Sequence, residues 1–238
     1  MPYFILTLMP PMHRYLAEFT GTLLLVFLTT GVDVLVAKSV GVLGIGLSYG
    51  FAYAGLYYGI ASASGSHLNP ALTLACWLRR TLPGRSALGY AVAQVLGAAA
   101  GAGILWLIVR SAAEPYDLAT YGFAQNGWGP NYAGAYRLPG AALSEVVGTF
   151  TLVATYLATR SSLRGIAVGA LLAATHWVGL YVTGASFNPA HSLAAALVVG
   201  QEAWSQLWLF IVAPAAGGAL AALYDWIRNA PGDSTPAR

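Results

Sequence analysis

Long apolar stretches dominate the pattern of hydrophobic and polar positions along this chain. Six of them reach or approach the ~20 residues that a membrane-spanning helix needs. They cover about residues 15–37, 40–63, 87–109, 140–159, 165–183 and 203–227. Two more apolar segments, about 69–78 and 188–199, have only the length of re-entrant segments. The pattern therefore predicts an all-α membrane protein with six transmembrane helices and two re-entrant half-helices.

The composition agrees with this prediction and narrows it. The chain is 58% hydrophobic and only 8% charged, which is unlike an ordinary soluble domain. We therefore expect one integral-membrane channel domain over residues 1–228, followed by a disordered cytoplasmic tail over 229–238. The single cysteine, Cys76, excludes an intrachain disulfide and is interpreted as a small buried hydrophobic residue.

Several function classes have no support in this composition. The net charge of +3 is too small to indicate a nucleic-acid partner. No nucleophile–base set and no metal-ligand spacing occurs in the sequence, so we predict no enzyme activity, no cofactor and no metal site.

The basic residues are distributed unevenly between the two sides of the predicted membrane domain. If the amino terminus lies inside, the outer side receives three of them, Lys38, Arg110 and Arg137. The inner side receives eight: Arg14, Arg79, Arg80, Arg85, Arg160, Arg164, Arg228 and Arg238. The positive-inside rule then predicts a multi-pass protein of the inner (plasma) membrane with both termini in the cytoplasm.

The order of segments is the same in both halves of the chain. Each half contains two spans, a short segment and a third span, over about 12–110 in the first repeat and 139–228 in the second. The motif Glu-x-x-Gly-Thr begins at Glu18 and recurs at Glu145. Because three spans is an odd number, the second half must enter from the opposite face, which makes an inverted repeat. Such repeats bring functional groups together near the bilayer midplane.

Each short segment begins with Asn-Pro-Ala, and the two copies are 119 residues apart (188 − 69). They are Asn69-Pro70-Ala71 and Asn188-Pro189-Ala190. Asparagine is a preferred helix N-cap and proline fits the first helical position, so each tripeptide begins a half-helix. The two N-termini then meet near the midplane, and each adds about +0.5 of an elementary charge from its dipole. With the amide donors turned inward, this arrangement repels cations and holds a passing water by its oxygen.

The backbone before each tripeptide is expected to be non-helical and to present carbonyl oxygens to a pore. The residues concerned are Gly65, Ser66, His67 and Leu68 in the first half and Gly184, Ser186 and Phe187 in the second. Irregular backbone at this depth occurs only where it is buried in protein or lines a watery cavity, which supports a channel. The intramembrane carboxylates of Glu18 and Glu145 are interpreted as hydrogen-bond acceptors for these loops; a proton relay is the alternative. The His67 side chain is expected to brace its loop.

These motifs resemble those of the aquaporins in the major intrinsic protein family. The resemblance extends from Met12 to about Arg228 and includes the stretch Gly122-Phe123-Ala124-Gln125-Asn126-Gly127. It implies a homotetramer in the lipid bilayer with one pore per subunit. It also implies conduction of water or small neutral solutes without energy input.

The resemblance also implies a selectivity filter on the outer side of the pore, formed by Tyr49, His176, Ala185 and His191. The family usually has arginine directly after the second Asn-Pro-Ala, where this chain has His191. Arginine supplies a permanent charge and a fork of donors, whereas a neutral histidine is shorter and offers one donor and one acceptor. Because Ala185 is also small, we expect a wider and less cationic constriction.

Several interpretations follow from the same residues. The leading one is a passive water channel whose range of small neutral solutes is broadened by His191. A facilitator mainly of ammonia, urea, hydrogen peroxide or metalloid acids is the alternative within the same class. A proton-coupled transporter that uses Glu18, Glu145 and the histidines, or a non-conducting structural membrane protein, would belong to other classes. Asp33 and Asp225 lie near span ends and are assigned no function.

Overall fold

The structure, a computed structural model, describes residues 11–132 and 134–230. These residues form helices and no strand. The helices are α1 (Pro11–Leu35), α2 (Ala37–Ser64), α3 (Pro70–Leu78), α4 (Gly84–Arg110), α5 (Leu118–Tyr121), α6 (Leu138–Ala158), α7 (Ser161–Thr183), α8 (Pro189–Val199) and α9 (Gln201–Arg228). Residues 1–10 and most of the predicted tail, 231–238, lie outside the described residues.

Six of these helices, α1, α2, α4, α6, α7 and α9, are long and apolar enough to cross a membrane. The short helices α3 and α8 occupy the two segments predicted to be re-entrant. The predicted fold class, an all-α membrane protein with six spans and two half-helices, is therefore confirmed.

The helices begin and end close to the predicted limits, with differences that have local causes. Helix α6 begins at Leu138, because Pro139 fits the first turn of a helix. Gly41 interrupts α2 with a φ of 60°, a conformation that glycine adopts without a steric penalty. The short helix α5 was not predicted. Asp117 caps it by accepting N–H bonds from Ala119 and Thr120. Hydrogen bonds from the Thr120 hydroxyl and these amides lower the pKa of Asp117.

The packing follows the duplication of the sequence. In the first half α1 packs against α2 and α4, and in the second half α6 packs against α7 and α9. The two halves meet along α2 and α7. Each half-helix contacts both α4 and α9, which are the last span of its own half and the last span of the other half. Neither half-helix is therefore enclosed by its own repeat alone.

Glycines allow the spanning helices to approach each other closely. A methyl group on Gly97 of α4 would overlap the carbonyl oxygen of Phe19 in α1, and one on Gly101 would overlap that of Leu23. Gly50 of α2 and Gly169 of α7 face each other's carbonyl oxygens in the same way. Small residues of this kind let helix backbones pack directly against each other in lipid.

An ion pair connects the first half-helix to the last span. The Nε atom of Arg79, which caps the C-terminus of α3, lies 2.8 Å from Oδ2 of Asp225 in α9. Arg228 lies 2.7 Å from the other carboxylate oxygen. Asp225, to which the sequence analysis assigned no function, therefore joins α3 to the opposite repeat.

The close contact of α1 and α4 leads to a test of the packing. Gly97→Ala should destabilise the protein by about 1–3 kcal/mol, because the added methyl group forces two backbones apart. Gly103→Ala in the same helix is the matched control, since a methyl group there meets no atom within 4 Å. Thermal unfolding in detergent, followed by tryptophan fluorescence, would measure both variants. Equal stability of the two variants would contradict this account.

Candidate functional site

The two loops that precede the half-helices have the same unusual backbone conformation. Residues 65–69 join α2 to α3, and residues 184–188 join α7 to α8. Each loop begins with a left-handed glycine and continues with two left-handed non-glycine residues. Their φ values are 90° at Gly65, 55° at Ser66, 53° at Leu68, 81° at Gly184, 52° at Ala185 and 51° at Phe187. Left-handed non-glycine residues cost energy, so the surrounding structure must hold these loops in place.

A fully buried carboxylate holds the first loop. Oε1 of Glu18 accepts hydrogen bonds from the Ser64 hydroxyl at 2.6 Å and from the His67 amide at 2.9 Å. Oε2 accepts bonds from the Leu68 amide at 2.8 Å and from Nε2 of Gln94 at 2.7 Å. Glu18 therefore binds two successive backbone N–H groups that have no partner within their own loop.

Glu145 makes the equivalent contacts in the second loop. Its Oε1 accepts bonds from the Thr183 hydroxyl at 2.7 Å and from the Ser186 amide at 3.2 Å. Its Oε2 accepts a bond from the Phe187 amide at 2.8 Å. Each of these donors lies 119 positions after its counterpart in the first loop, so the duplication extends to single hydrogen bonds.

The two asparagines cap the half-helices. Oδ1 of Asn69 accepts a bond from the Ala71 amide at 2.8 Å, and Oδ1 of Asn188 accepts one from the Ala190 amide at 3.1 Å. The proline of each tripeptide is the first residue of its helix. These are the local interactions for which an Asn-Pro sequence is suited.

The same asparagines also join the two loops to each other. Nδ2 of Asn69 donates to the carbonyl oxygen of Phe187 at 2.8 Å, and Nδ2 of Asn188 donates to that of Leu68 at 2.9 Å. An amide nitrogen carries two N–H groups, so each asparagine keeps a second donor. Both side chains line the central cavity, where that second donor is available to a small molecule.

The carbonyl groups predicted to face a pore are partly engaged by protein donors. Besides Leu68 and Phe187, the Gly65 oxygen accepts a bond from the Tyr156 hydroxyl at 2.8 Å. The Ser66 oxygen accepts one from the Tyr53 hydroxyl at 3.1 Å. Because a carbonyl oxygen has two lone pairs, each can still accept a second bond.

A narrow central cavity of about 50 Å³ lies between the two loops. It is lined by Leu25, Thr29, Tyr49, Tyr53, His67, Leu68, Asn69, Leu72, Leu152, Val153, Val168, Leu172, His176, Ser186, Phe187, Asn188 and His191. His67 also lines a second cavity, which opens beside Arg14 and Arg164. Its Nδ1 lies 3.1 Å from the Thr73 hydroxyl, so the ring has a fixed position between the two cavities.

Three of the four predicted filter residues, Tyr49, His176 and His191, lie together in the lining of the central cavity. The ring centroid of Tyr49 is 3.8 Å from that of His176 and 5.8 Å from that of His191. Nε2 of His191 lies 3.1 Å from the Tyr49 hydroxyl oxygen. Ala185 is fully buried, faces Gly179 and does not line the cavity.

Sequence reasoning missed one residue next to this cluster. Asp33 was assigned no function, but its Oδ2 accepts a hydrogen bond from the Tyr49 hydroxyl at 2.8 Å. The signal was present in the sequence, because an acidic residue in an apolar span is itself unusual. Gln94, which supports Glu18, was also missed.

The connection between the halves contributes to the second loop. Asn126 belongs to the stretch 122–127 that supported the family resemblance. Its Oδ1 accepts a bond from the Ser192 hydroxyl at 2.8 Å, and its Nδ2 donates to the Thr183 carbonyl at 3.3 Å. Ser192 is in turn hydrogen-bonded to Ser186. The connection between the halves therefore braces the loop before α8.

Six spans around a cavity that lies between two facing half-helices are the architecture of a membrane channel. The chain belongs to the major intrinsic protein family, whose sequence model matches residues 6–225. The resemblance found in the motifs is therefore confirmed. The protein is a multi-pass membrane channel protein for water or small solutes, and its family is one of channels rather than enzymes.

Individual relatives agree with this assignment. Aquaporin Z of Rhodopseudomonas palustris is 40% identical over 217 residues, which cover 87% of this chain and 90% of that protein. Aquaporin Z of Bradyrhizobium diazoefficiens is 37% identical over 230 residues, which cover 92% and 95%. The X-ray structure of the aquaglyceroporin from Plasmodium falciparum superposes with a TM-score of 0.79 at 20% identity, over 92% of this chain and 98% of that one. The last comparison concerns the fold alone.

The bonds between the loops lead to a second prediction. Asn188→Asp keeps a capping oxygen, but it replaces the donor to the Leu68 carbonyl with a negative charge. We expect a loss of stability of about 1–3 kcal/mol, because the Leu68 carbonyl loses its donor. If the variant folds, we expect a leak of cations, because the new charge offsets the positive helix dipoles. Unfolding and ion flux in proteoliposomes would measure the two effects. Asn131→Asp, in the connection between the halves, is the control for ion exclusion: its Nδ2 donates to Oε1 of Glu202 at 2.8 Å on the exposed surface, so the change should cause no cation leak. Wild-type stability and ion exclusion in Asn188→Asp would contradict the role of the amide.

Proposed function

We propose that the protein is a passive water channel whose range of small neutral solutes is broadened by His191. One observation carries the proposal. The two asparagines cap facing half-helices, bond to each other's loops and retain free N–H donors in the same cavity. The family resemblance supports passive conduction, without an energy source.

Ion exclusion follows from the same arrangement. The N-termini of α3 and α8 meet at the centre of the cavity, and each contributes about +0.5 of an elementary charge. A cation that reaches this point loses hydration and meets two positive dipole ends. A water molecule instead accepts hydrogen bonds from the asparagine N–H groups with its oxygen. It then cannot relay a proton to both neighbouring water molecules in the pore.

The filter is proposed to lie at Tyr49, His176 and His191, with Ala185 behind them. Tyr49 and His176 form one wall through their adjacent rings, which are tilted by 33°. His191 stands where most family members have a longer and permanently charged arginine. A shorter, uncharged side chain leaves more room and a weaker field, which supports passage of neutral solutes larger than water.

A facilitator mainly of other small neutral solutes is the second candidate. The two histidines of the filter favour it, since they offer hydrogen-bonding groups without a fixed charge. A proton-coupled transporter is disfavoured, because the carboxylates of Glu18 and Glu145 accept hydrogen bonds from backbone amides of the loops. Carboxylates held in this way support the loop-bracing role that we propose for both.

The assembly and its orientation belong to the same proposal. The family resemblance supports a homotetramer with one pore in each subunit. The excess of arginines on one side supports a plasma-membrane protein with both termini in the cytoplasm. The many large apolar side chains exposed on the spans are consistent with contact with lipid and neighbouring subunits.

Water conduction is tested by stopped-flow light scattering on proteoliposomes. Vesicles that contain the protein should shrink faster in an osmotic jump than empty vesicles of the same lipid. Val168→Trp should slow them, because Val168 lines the cavity, whereas Ile166→Trp on the exposed side of the same helix should not. No acceleration over empty vesicles, at a verified protein density, would overturn the proposal.

The filter is tested by restoring the family residue. His191→Arg adds bulk and a fixed charge, so urea permeability should fall relative to water permeability by roughly tenfold, about 1.4 kcal/mol. The control is His13→Arg, which makes the same change at an exposed position. If His191→Arg leaves the urea-to-water ratio as it is in the wild type, His191 does not set the constriction.

A further inference from the structure

A chain of hydrogen bonds runs from Asp33 into the constriction. The Tyr49 hydroxyl donates to Oδ2 of Asp33 at 2.8 Å, and its oxygen lies 3.1 Å from Nε2 of His191. We propose that Asp33 determines specificity by fixing the tautomer of His191 through Tyr49, which makes the constriction a site for small neutral solutes that donate hydrogen bonds. The inference rests on the proposed function, because it assumes that solutes pass this point.

The tautomer of His191 follows from a count of protons. A tyrosine hydroxyl carries one proton, and here it is directed at a carboxylate, which in its ionised form can only accept. The Tyr49 oxygen can therefore only accept from the histidine, so Nε2 of neutral His191 carries the proton. The Thr30 hydroxyl, 3.4 Å from Nε2, can accept as well as donate and does not alter this assignment. Nδ1 of His191 is left with a lone pair.

The tautomer of His176 is fixed in a similar way. Its Nδ1 lies 2.8 Å from the carbonyl oxygen of Leu172, which is an acceptor only, so Nδ1 carries the proton. Nε2 of neutral His176 then has the lone pair. Among the described residues, neither this atom nor Nδ1 of His191 has a hydrogen-bond partner, although both are buried.

The constriction therefore offers two unshared acceptor nitrogens. An arginine at position 191 would offer only donors, so the polarity of the hydrogen bonding is reversed. A solute with N–H or O–H groups satisfies these nitrogens as it passes. A solute that can only accept hydrogen bonds leaves both nitrogens buried without a partner, which is unfavourable. Water meets the requirement, and among larger neutral solutes amides with free N–H groups meet it better than molecules whose N–H groups are replaced by methyl groups.

Asp33 determines which partner donates in the hydrogen bond between the Tyr49 hydroxyl and Nε2 of His191. Without the carboxylate, the Tyr49 hydroxyl can turn its proton towards Nε2 of His191. The proton of His191 then moves to Nδ1, which becomes a donor. Asp33 does not touch the solute in this account, so it is a positioning residue that acts through Tyr49.

The first test reads the tautomer directly. The chain has four histidines, so ¹⁵N chemical shifts of the imidazole rings in reconstituted protein can be assigned with His191→Gln as reference. Wild type should show the proton of neutral His191 on Nε2, and Asp33→Leu should move it to Nδ1. In a Tyr49→Phe background, Asp33→Leu should have no further effect, because the link is already broken. A proton on Nδ1 in the wild type, or the same spectrum in wild type and Asp33→Leu, would overturn the proposal.

The second test measures selectivity. Urea and acetamide share a trigonal shape, but acetamide has a methyl group where urea has a second NH₂ group. Asp33→Leu should lower the urea-to-acetamide permeability ratio by roughly threefold to tenfold, the factor that corresponds to one hydrogen bond. Glu114→Gln is the matched control, since Glu114 is an exposed acid on the surface cavity that Asp33 also lines. Its ratio should stay at the wild-type value.

The outcomes separate the inference from the proposed function. If Asp33→Leu does not fold, Tyr49→Phe supplies the test, because it should release the tautomer of His191 and lower the same ratio. A ratio unchanged in both variants, or lowered equally by Glu114→Gln, would overturn the role of Asp33. A wild-type protein that fails to accelerate water flow would overturn the proposed function instead, while the ¹⁵N spectra would still decide the tautomer.

Discussion

Glu18 and Glu145 each accept backbone N–H groups from a loop that has no other means of satisfying them, and the position of both half-helices depends on these bonds. Unpaired amide groups at membrane depth cost several kcal/mol each. The loops also contain left-handed non-glycine residues, which would relax to other conformations if they were not held. The direction of α3 and α8, and with it the location of Asn69 and Asn188, therefore follows from two buried carboxylates.

On this symmetric scaffold the lining of the cavity is strongly asymmetric. Positions related by the 119-residue repeat carry different chemistry: Tyr49 corresponds to Val168 (168 − 49) and Leu72 to His191 (191 − 72). All four line the cavity. The duplicated backbone thus supplies a common frame, while equivalent positions carry an aromatic or polar residue in one repeat, Tyr49 or His191, and an aliphatic one in the other, Val168 or Leu72. Specificity can change at such positions without any change in the hydrogen bonds that hold the frame.

The sequence predicted what depends on local pattern and failed where distant helices meet. Apolar stretches of spanning length and the Asn-Pro caps are local features, so the six spans and both half-helices were predictable. The contact of Asp33 with Tyr49 was not, because it joins residues of two helices and depends on how those helices cross. Gln94 was missed for the same reason. The filter position of Ala185 stays a prediction; its side chain lies against Gly179 of the preceding helix.

The reciprocal bonds between Asn69 and the Phe187 carbonyl, and between Asn188 and the Leu68 carbonyl, have a consequence for biosynthesis. A chain is inserted from its amino terminus, so the first repeat is in the bilayer before the second has been translated. At that stage Asn69 has no carbonyl to bond, and α3 lacks α9, against which it packs. The first half is therefore an incompletely folded intermediate, and the wall of the pore is complete only after α9 has been inserted. Although the chain is a tandem duplication, it matures as a single cooperative unit rather than as two independently folding modules.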